Sequence, residues 1–228
     1  MKKIMYFAVF AVLGTALLTA QERDQDRIQD QDRTKLVMVN GEMLELQDRA
    51  QLRLKEKQTL ADGTILHLDG TYRTRDGQKL RLQEGECLDG DGIKYRNEYQ
   101  YRYKVNQDNK GLAQNQIEER NQNRLHYMLV DGEMYRIENQ FQNRLQSQFN
   151  LADGGTVNPD GTYQTRERKQ LQLQDGECLN LEGKKFKNLH QHRRMMVQKN
   201  MQANKKMMKK AGVKKPVIAK KKGKKSTR

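Results

Sequence analysis

The chain has 228 residues, 44 Lys+Arg against 29 Asp+Glu, no Trp and two Pro, and only 35% of it is hydrophobic. With a mean hydropathy of -1.07, this excludes a polytopic membrane protein and any large apolar core, and leaves room for one or two small domains. The net charge of +15 is confined to one end: residues 184–228 hold 18 Lys+Arg and no acid, whereas residues 21–183 hold 24 basic and 29 acidic side chains, a balance of -5, so basicity belongs to the C-terminal segment and not to a folded surface.

Residues 1–20 run from Met1-Lys2-Lys3 through an apolar stretch to Ala20, ahead of the polar Gln21-Glu22-Arg23. That is the order of a cleaved secretory signal, with an uncleaved anchor as the alternative at the short limit for crossing a bilayer. The expected location is therefore periplasm, outer envelope or extracellular space. Residues 21–34 repeat Asp-Gln-Asp-Arg; they lack the turn glycine and distal Glu of a calcium loop and read as a polar low-complexity linker.

Shifted by 91 residues, positions 36–97 align without a gap on 127–188, and 27 of the 62 pairs are identical. The chain is a tandem duplication. Within the first copy, Asp62-Gly63, Asp69-Gly70 and Asp76-Gly77 recur every seven residues. Asp-Gly suits a two-residue type I′ turn, and the spacing leaves room for short antiparallel strands at Thr64 to Leu68, Thr71 to Arg75 and Gln78 to Gln83. Asn40-Gly41 marks a further hairpin between Leu36–Val39 and Glu42–Leu46. The second copy departs where Glu167-Arg168 replaces Asp76-Gly77 and where Val157-Asn158-Pro159 replaces Leu66 to Leu68, so a looser edge is expected there.

The fold class is thus mainly β: two tandem small antiparallel β-meander units over 35–97 and 124–188, followed by a basic helix and disordered tail over 189–228. Units of this size bury only about 60% of their unfolded surface, so the copies are expected to pack on each other or to be individually marginal. Residues 98–123 form an Asn/Gln-rich linker. In it Tyr99, Tyr101 and Tyr103 alternate, which reads as an extra strand with one semi-buried face, or as a strip for stacking on bases or sugars.

The order Asn-Gly-Glu-Met, Leu-Ala-Asp-Gly-Thr, Asp-Gly-Thr-Tyr, Asp-Gly-Gln-Lys-Leu-Arg-Leu and Glu-Gly-Glu-Cys-Leu resembles the domain of unknown function numbered 6799, in two tandem copies. The resemblance covers something over half of the chain, most specifically in the Gly-Glu-Cys-Leu ending. It implies a small repeat of exported bacterial proteins, especially of Bacteroidota, with an envelope or secreted setting and no assigned activity.

Candidate chemistry is sparse. Cys87 and Cys178 occupy equivalent places, so a twofold-like packing would bring them together as a disulfide; the alternative is two separate small buried side chains. Ser147 and Ser226 are the only serines, which removes nucleophilic serine chemistry. Asp62, Asp69, Asp153 and Asp160 sit where turns want Asp for backbone geometry, and Asp89-Gly90-Asp91-Gly92 reads as a plain turn, because Ile93 stands where a calcium loop needs oxygen. No catalytic residue, cofactor or small-molecule substrate is indicated.

His190, His192, Met195 and Met196 are the one cluster with soft-ligand character, suited to copper. The competing reading is a helix from about Leu189 to Ala211 with Leu189, Met196, Val197, Met201, Met208 and Ala211 on its apolar side. The basic residues Arg193, Arg194, Lys205, Lys206, Lys209, Lys210, Lys214, Lys215, Lys220, Lys221, Lys222, Lys224 and Lys225 are the candidate polyanion-binding set. The expectation is an exported, non-enzymatic β scaffold whose polybasic end adheres to an anionic polymer or membrane surface, or to nucleic acid, with periplasmic copper binding as the alternative. Oligomeric state is open.

Overall fold

The computed structural model describes residues 34–210; the N-terminal apolar run, the Asp-Gln-Asp-Arg segment and the lysines from Lys214 onward lie outside them. In chain order the first copy contains the hairpin β1 (Thr34–Val39) and β2 (Glu42–Arg53), then β3 (Gln58–Thr59), β4 (Ile65–Leu66), β5 (Thr71–Arg73) and β6 (Lys79–Arg81). It closes with β7 (Cys87–Asp89), β8 (Lys94–Tyr95) and helix α1 (Glu98–Asp108). Helix α2 (Gln114–Asn123) leads to the second copy: β9 (Leu125–Val130), β10 (Glu133–Arg144), β11 (Phe149–Asn150), β12 (Thr156–Val157), β13 (Thr162–Gln164), β14 (Gln170–Gln172), β15 (Cys178–Asn180), β16 (Lys185–Phe186) and helix α3 (Leu189–Lys210).

The two copies are interlaced. One eight-stranded sheet runs β16-β15-β1-β2-β10-β9-β7-β8, so each hairpin is flanked by the closing strands of the other copy: Leu36 pairs with Leu179 and Leu88 with Tyr127. At the centre, β2 and β10 are antiparallel, with Gln47 opposite Phe141 and Ala50 opposite Glu138. Phe141 and Glu138 are the 91-residue counterparts of Ala50 and Gln47, so the pairing is self-reciprocal, as a local twofold axis requires. Asp48 lies opposite Asn139, its own counterpart, at a register shift on that axis.

Because strand side chains alternate, β1 and β9 offer apolar residues to both faces, and both faces are covered. On one face Leu36, Met38, Met43 and Leu179 pack with Leu151, Val157 and Tyr163 of the four-stranded sheet β11-β12-β13-β14. Leu88, Tyr127, Leu129 and Met134 pack with Leu60, Leu66 and Tyr72 of the sheet β3-β4-β5-β6. Each small sheet therefore covers the hairpin of the other copy. The opposite face carries α1 and α3, over Met128, Val130, Tyr135 and Ile137 on one side of the axis and Val37, Val39, Leu44 and Leu46 on the other. The meander units exist as read, and neither has a core of its own.

Three local expectations change. Residues 98–108 are helical, so Tyr99, Tyr101 and Tyr103 do not line a strand face. Asn97 caps α1 by accepting the Gln100 N–H at 3.0 Å, and Gln100 returns its side-chain oxygen to the Arg96 N–H at 3.0 Å. This reciprocal capping recurs at α3 through Asn188 and Gln191.

The Asp-Gly turns are also not type I′. Only the glycines have positive φ, 90° at Gly63, 82° at Gly70 and 84° at Gly77, and the hydrogen bonds Leu60 N–H to Thr64 O and Gly63 N–H to Leu60 O define a type I turn over Leu60–Gly63 whose fourth residue, Gly63, is left-handed. The Asp side chain instead locks the turn, as where Asp69 accepts both the N–H and the hydroxyl of Thr71. True paired positive φ occurs at Asn40-Gly41 (54° and 73°) and Asp131-Gly132 (50° and 77°), between the hairpin strands.

The second copy is not loosened. Pro159 falls inside the β12–β13 turn, where fixed φ is welcome, and Thr156 and Val157 keep ladder partners on both sides. Arg168 holds the left-handed position of Gly77 at φ 62°. A side chain there is strained, so Arg168→Gly is expected to raise stability by about 0.5–1 kcal/mol in urea unfolding; a loss would show that the arginine side chain compensates the backbone.

Candidate functional site

The densest chemistry lies under the helices, on the local twofold axis. Lys35 of β1, Asp48 of β2, Glu98 and Arg102 of α1, Asn139 of β10 and Arg193 of α3 are all buried. Arg193 donates to Glu98 Oε1 at 2.6 Å, to Asp48 Oδ2 at 2.9 Å and to Gln51 Oε1 at 3.0 Å. Arg102 donates to Glu98 Oε1 at 2.9 and 3.0 Å, to Asn139 Oδ1 at 2.8 Å and to Asp48 Oδ1 at 3.2 Å. Lys35 Nζ bonds Asp48 Oδ2.

Arg102 and Arg193 are counterparts at the 91-residue offset, as are Asp48 and Asn139, Gln51 and Gln142, and Lys35 and His126. The axis thus superposes two half-sites that have diverged in charge.

Electrostatics follow from burial. The guanidiniums of Arg193 and Arg102 hold the Asp48 and Glu98 carboxyls well below the ordinary carboxylate range, against a desolvation that alone would raise them. Burial lowers Lys35, opposed first by Asp48. His126 is depressed to about 4 by burial, which outweighs the pull of Glu98 Oε1 at 3.5 Å. His192 falls to about 3 through burial and the nearby Lys35 and Arg193; its ring meets Phe186 edge-on at 4.9 Å.

Both imidazoles are neutral inside the protein and make no well-formed hydrogen bond through either nitrogen. Every charged member of the cluster is at most 4% exposed, so no substrate reaches it. What the arrangement does is pin α1 and α3, one helix from each copy, across the seam between β2 and β10.

This placement corrects the expected polyanion set. Arg193 is sealed in the cluster and closed to a polymer, whereas Arg194, although it pairs with Asp131 Oδ1 at 2.6 Å, keeps more than half of its side chain in solvent. The side chains of Lys205 and Lys206 are exposed. Lys209 and Lys210 end α3, and Lys214, Lys215, Lys220, Lys221, Lys222, Lys224 and Lys225 lie beyond the described residues. The apolar side of the helix is as read at Leu189, Met196 and Val197, whereas Met201 is 45% exposed.

Cys87 and Cys178 do not pair. Both are buried free thiols, on β7 and β15, with four strands between them. At about 4.8 Å per strand spacing they stand roughly 24 Å apart, far outside disulfide reach. The twofold packing is real and places them on opposite flanks. Burial drives both thiols upward, Cys178 to about 12, which leaves them inert as nucleophiles.

The soft-ligand candidates also diverge. His190 Nε2 meets Glu84 Oε2 at 3.3 Å, His192 and Met196 point into the interior, and Met195 Sδ lies 3.7 Å from Lys184 Nζ. Among the described residues no three His, Cys, Asp or Glu side chains converge as a metal site, and no helix is long and apolar enough to cross a membrane.

Fold and site together define a two-copy β protein closed by a buried ionic seam. The chain belongs to the family described as a domain of unknown function, numbered 6799, whose model matches residues 33–93 and 124–184, together more than half of its length. No curated protein and no solved structure matches it.

Proposed function

We propose that the protein is an exported, non-enzymatic scaffold that docks to anionic surfaces through its C-terminal segment. The observation that carries this reading is the distribution of charge along the C-terminal segment. Arg193 is taken up by Asp48 and Glu98 in the interior, whereas Arg194 is exposed and Lys205 to Arg228 supply 12 further Lys+Arg with no Asp or Glu in the segment. Near an anionic membrane each cation contributes about 1 kcal/mol, so engaging half of them gives salt-sensitive adhesion without a shaped pocket. The apolar N-terminal run supports export, and the sealed ionic cluster and inert thiols give no purchase for catalysis.

Most of the docking charge therefore lies from Lys205 onward. Removing 189–228 would strip Arg193 from Asp48 and Glu98 and disrupt the body, so truncation after Asn204 is the discriminating variant. It should retain the thermal transition of the full chain and lose retention on phosphatidylglycerol vesicles at low salt. Undiminished retention refutes the proposal.

A further inference from the structure

The outer faces of the two small sheets share one backbone and differ in charge. In the first copy Thr71 stands opposite Arg81 and Arg73 opposite Lys79; in the second, Thr162 stands opposite Gln172 and Gln164 opposite Gln170. These pairs face outward, because Tyr72 and Tyr163 between them are each 5% exposed and packed in the core. Each face is an open depression, of about 750 Å³ in the first copy and 560 Å³ in the second. Three cations in one copy are three neutral amides in the other.

That difference is unfavourable to the folded chain by itself. Like charges directly opposite on antiparallel strands are destabilising, and Arg73 and Lys79 are such a pair, with Arg81 on the adjoining rung. None of the three forms an ion pair with a carboxylate among the described residues. Arg81 acts weakly on Asp69, whose Oδ1 accepts both the N–H and the hydroxyl of Thr71 and whose carboxyl is held low chiefly by those bonds.

Guarding an edge strand against aggregation would account for charges on β6. Yet β14 is the same edge in the second copy, equally exposed, and carries Gln170-Leu171-Gln172. Edge protection does not require cations at this place.

We propose that the outer face of β5 and β6 binds a short stretch of acidic polysaccharide. Arg73, Lys79 and Arg81 would meet the carboxylate or sulfate groups, with charge-assisted and, for Arg, bidentate geometry. Leu80, which stands opposite Tyr72 and therefore projects from the other side of the sheet, takes no part in this face. A glycan fits better than a nucleic-acid strand because single-stranded nucleic acid is held by aromatic stacking, and the face presents no Tyr, Phe or Trp ring. The site lies on the folded body and is independent of the C-terminal segment.

The two copies supply their own controls, since each set of side chains already sits on the same backbone. Trigalacturonate added to the full-length chain should slow amide exchange over 71–73 and 79–81, and neutral maltotriose should not. The R73Q/K79Q/R81Q variant, which installs the second copy's residues, should lose that protection and bind about tenfold more weakly or worse. The reciprocal Q164R/Q170K/Q172R variant should gain protection over 162–164 and 170–172.

Absence of protection in the unaltered chain, protection that survives the triple substitution, or protection given by single-stranded DNA but not by trigalacturonate would each overturn the assignment. Vesicle retention after truncation reads the C-terminal segment separately, so either proposal can fail without the other.

Discussion

Replacing Asp48 with Asn should lower the stability of the folded chain by about 3–5 kcal/mol, read from urea unfolding. Asp48 is the common acceptor of Lys35, Arg102 and Arg193. Without its charge, three buried cations share Glu98 alone, and an uncompensated buried charge is costly even where the intact cluster contributes little net stability. The other half of the axis shows how the protein tolerates Asn at this place: Asn139 coexists with a neutral His126 where the first copy has Lys35.

Lys35→His combined with Asp48→Asn should therefore recover part of the loss, with a coupling of about 1–3 kcal/mol in the double-mutant cycle. Strictly additive effects, or a loss below about 1 kcal/mol for Asp48→Asn, would show that the seam is held by apolar packing and that the charges are incidental.

The duplication, the meander strands and the Asn40-Gly41 hairpin were legible because each leaves a local mark: identity at fixed offset, alternation, or a residue pair suited to positive φ. Interlacing leaves none. An offset of 91 residues reads the same whether Leu88 pairs with β1 of its own copy or, as observed, with Tyr127 of the other, and the choice is settled by three-dimensional closure.

Helix α1 was hidden because its buried residues are Glu98, Tyr101, Arg102 and Val105, two of them charged, while its tyrosines happen to alternate like a strand. Arg193 was masked by the basic run around it. The signal that finds both is the repeat itself, continued past residue 97: Asn97, Gln100 and Arg102 recur as Asn188, Gln191 and Arg193, so the unit includes its helix and its buried arginine. Equivalence of Cys87 and Cys178 misled for a related reason, since a twofold axis brings together only residues near it, and these are far from it.

Acidification should unfold the protein in two separable stages, the first set by histidine. In the unfolded chain a histidine takes up its proton near pH 6.5; folded His126 does so only at about 4 and His192 at about 3. Between those values the unfolded state binds more protons, so stability falls as pH falls from 6.5 towards 4, by up to about 2.7 kcal/mol per pH unit while both groups contribute. Asp48 and Glu98 have the opposite unfolded reference. Their depressed folded values stabilise the protein above about pH 4, and that contribution is lost only below it as they are protonated.

His126 faces Glu98, Arg102 and Arg193, and His192 faces Lys35, Asp48, Glu98 and Arg193. The carboxylates of Asp48 and Glu98 and the guanidiniums beside them keep their charge across the upper window, in which the two imidazoles titrate on unfolding. Replacing His192 with Tyr, the residue its counterpart Tyr101 supplies, and His126 with Gln should flatten the thermal midpoint between pH 6.5 and 4.5 while leaving the drop below pH 4 in place. A midpoint in the unaltered chain that is already flat across the upper window would mean that water or a partner group reaches these rings and that the seam is open to solvent.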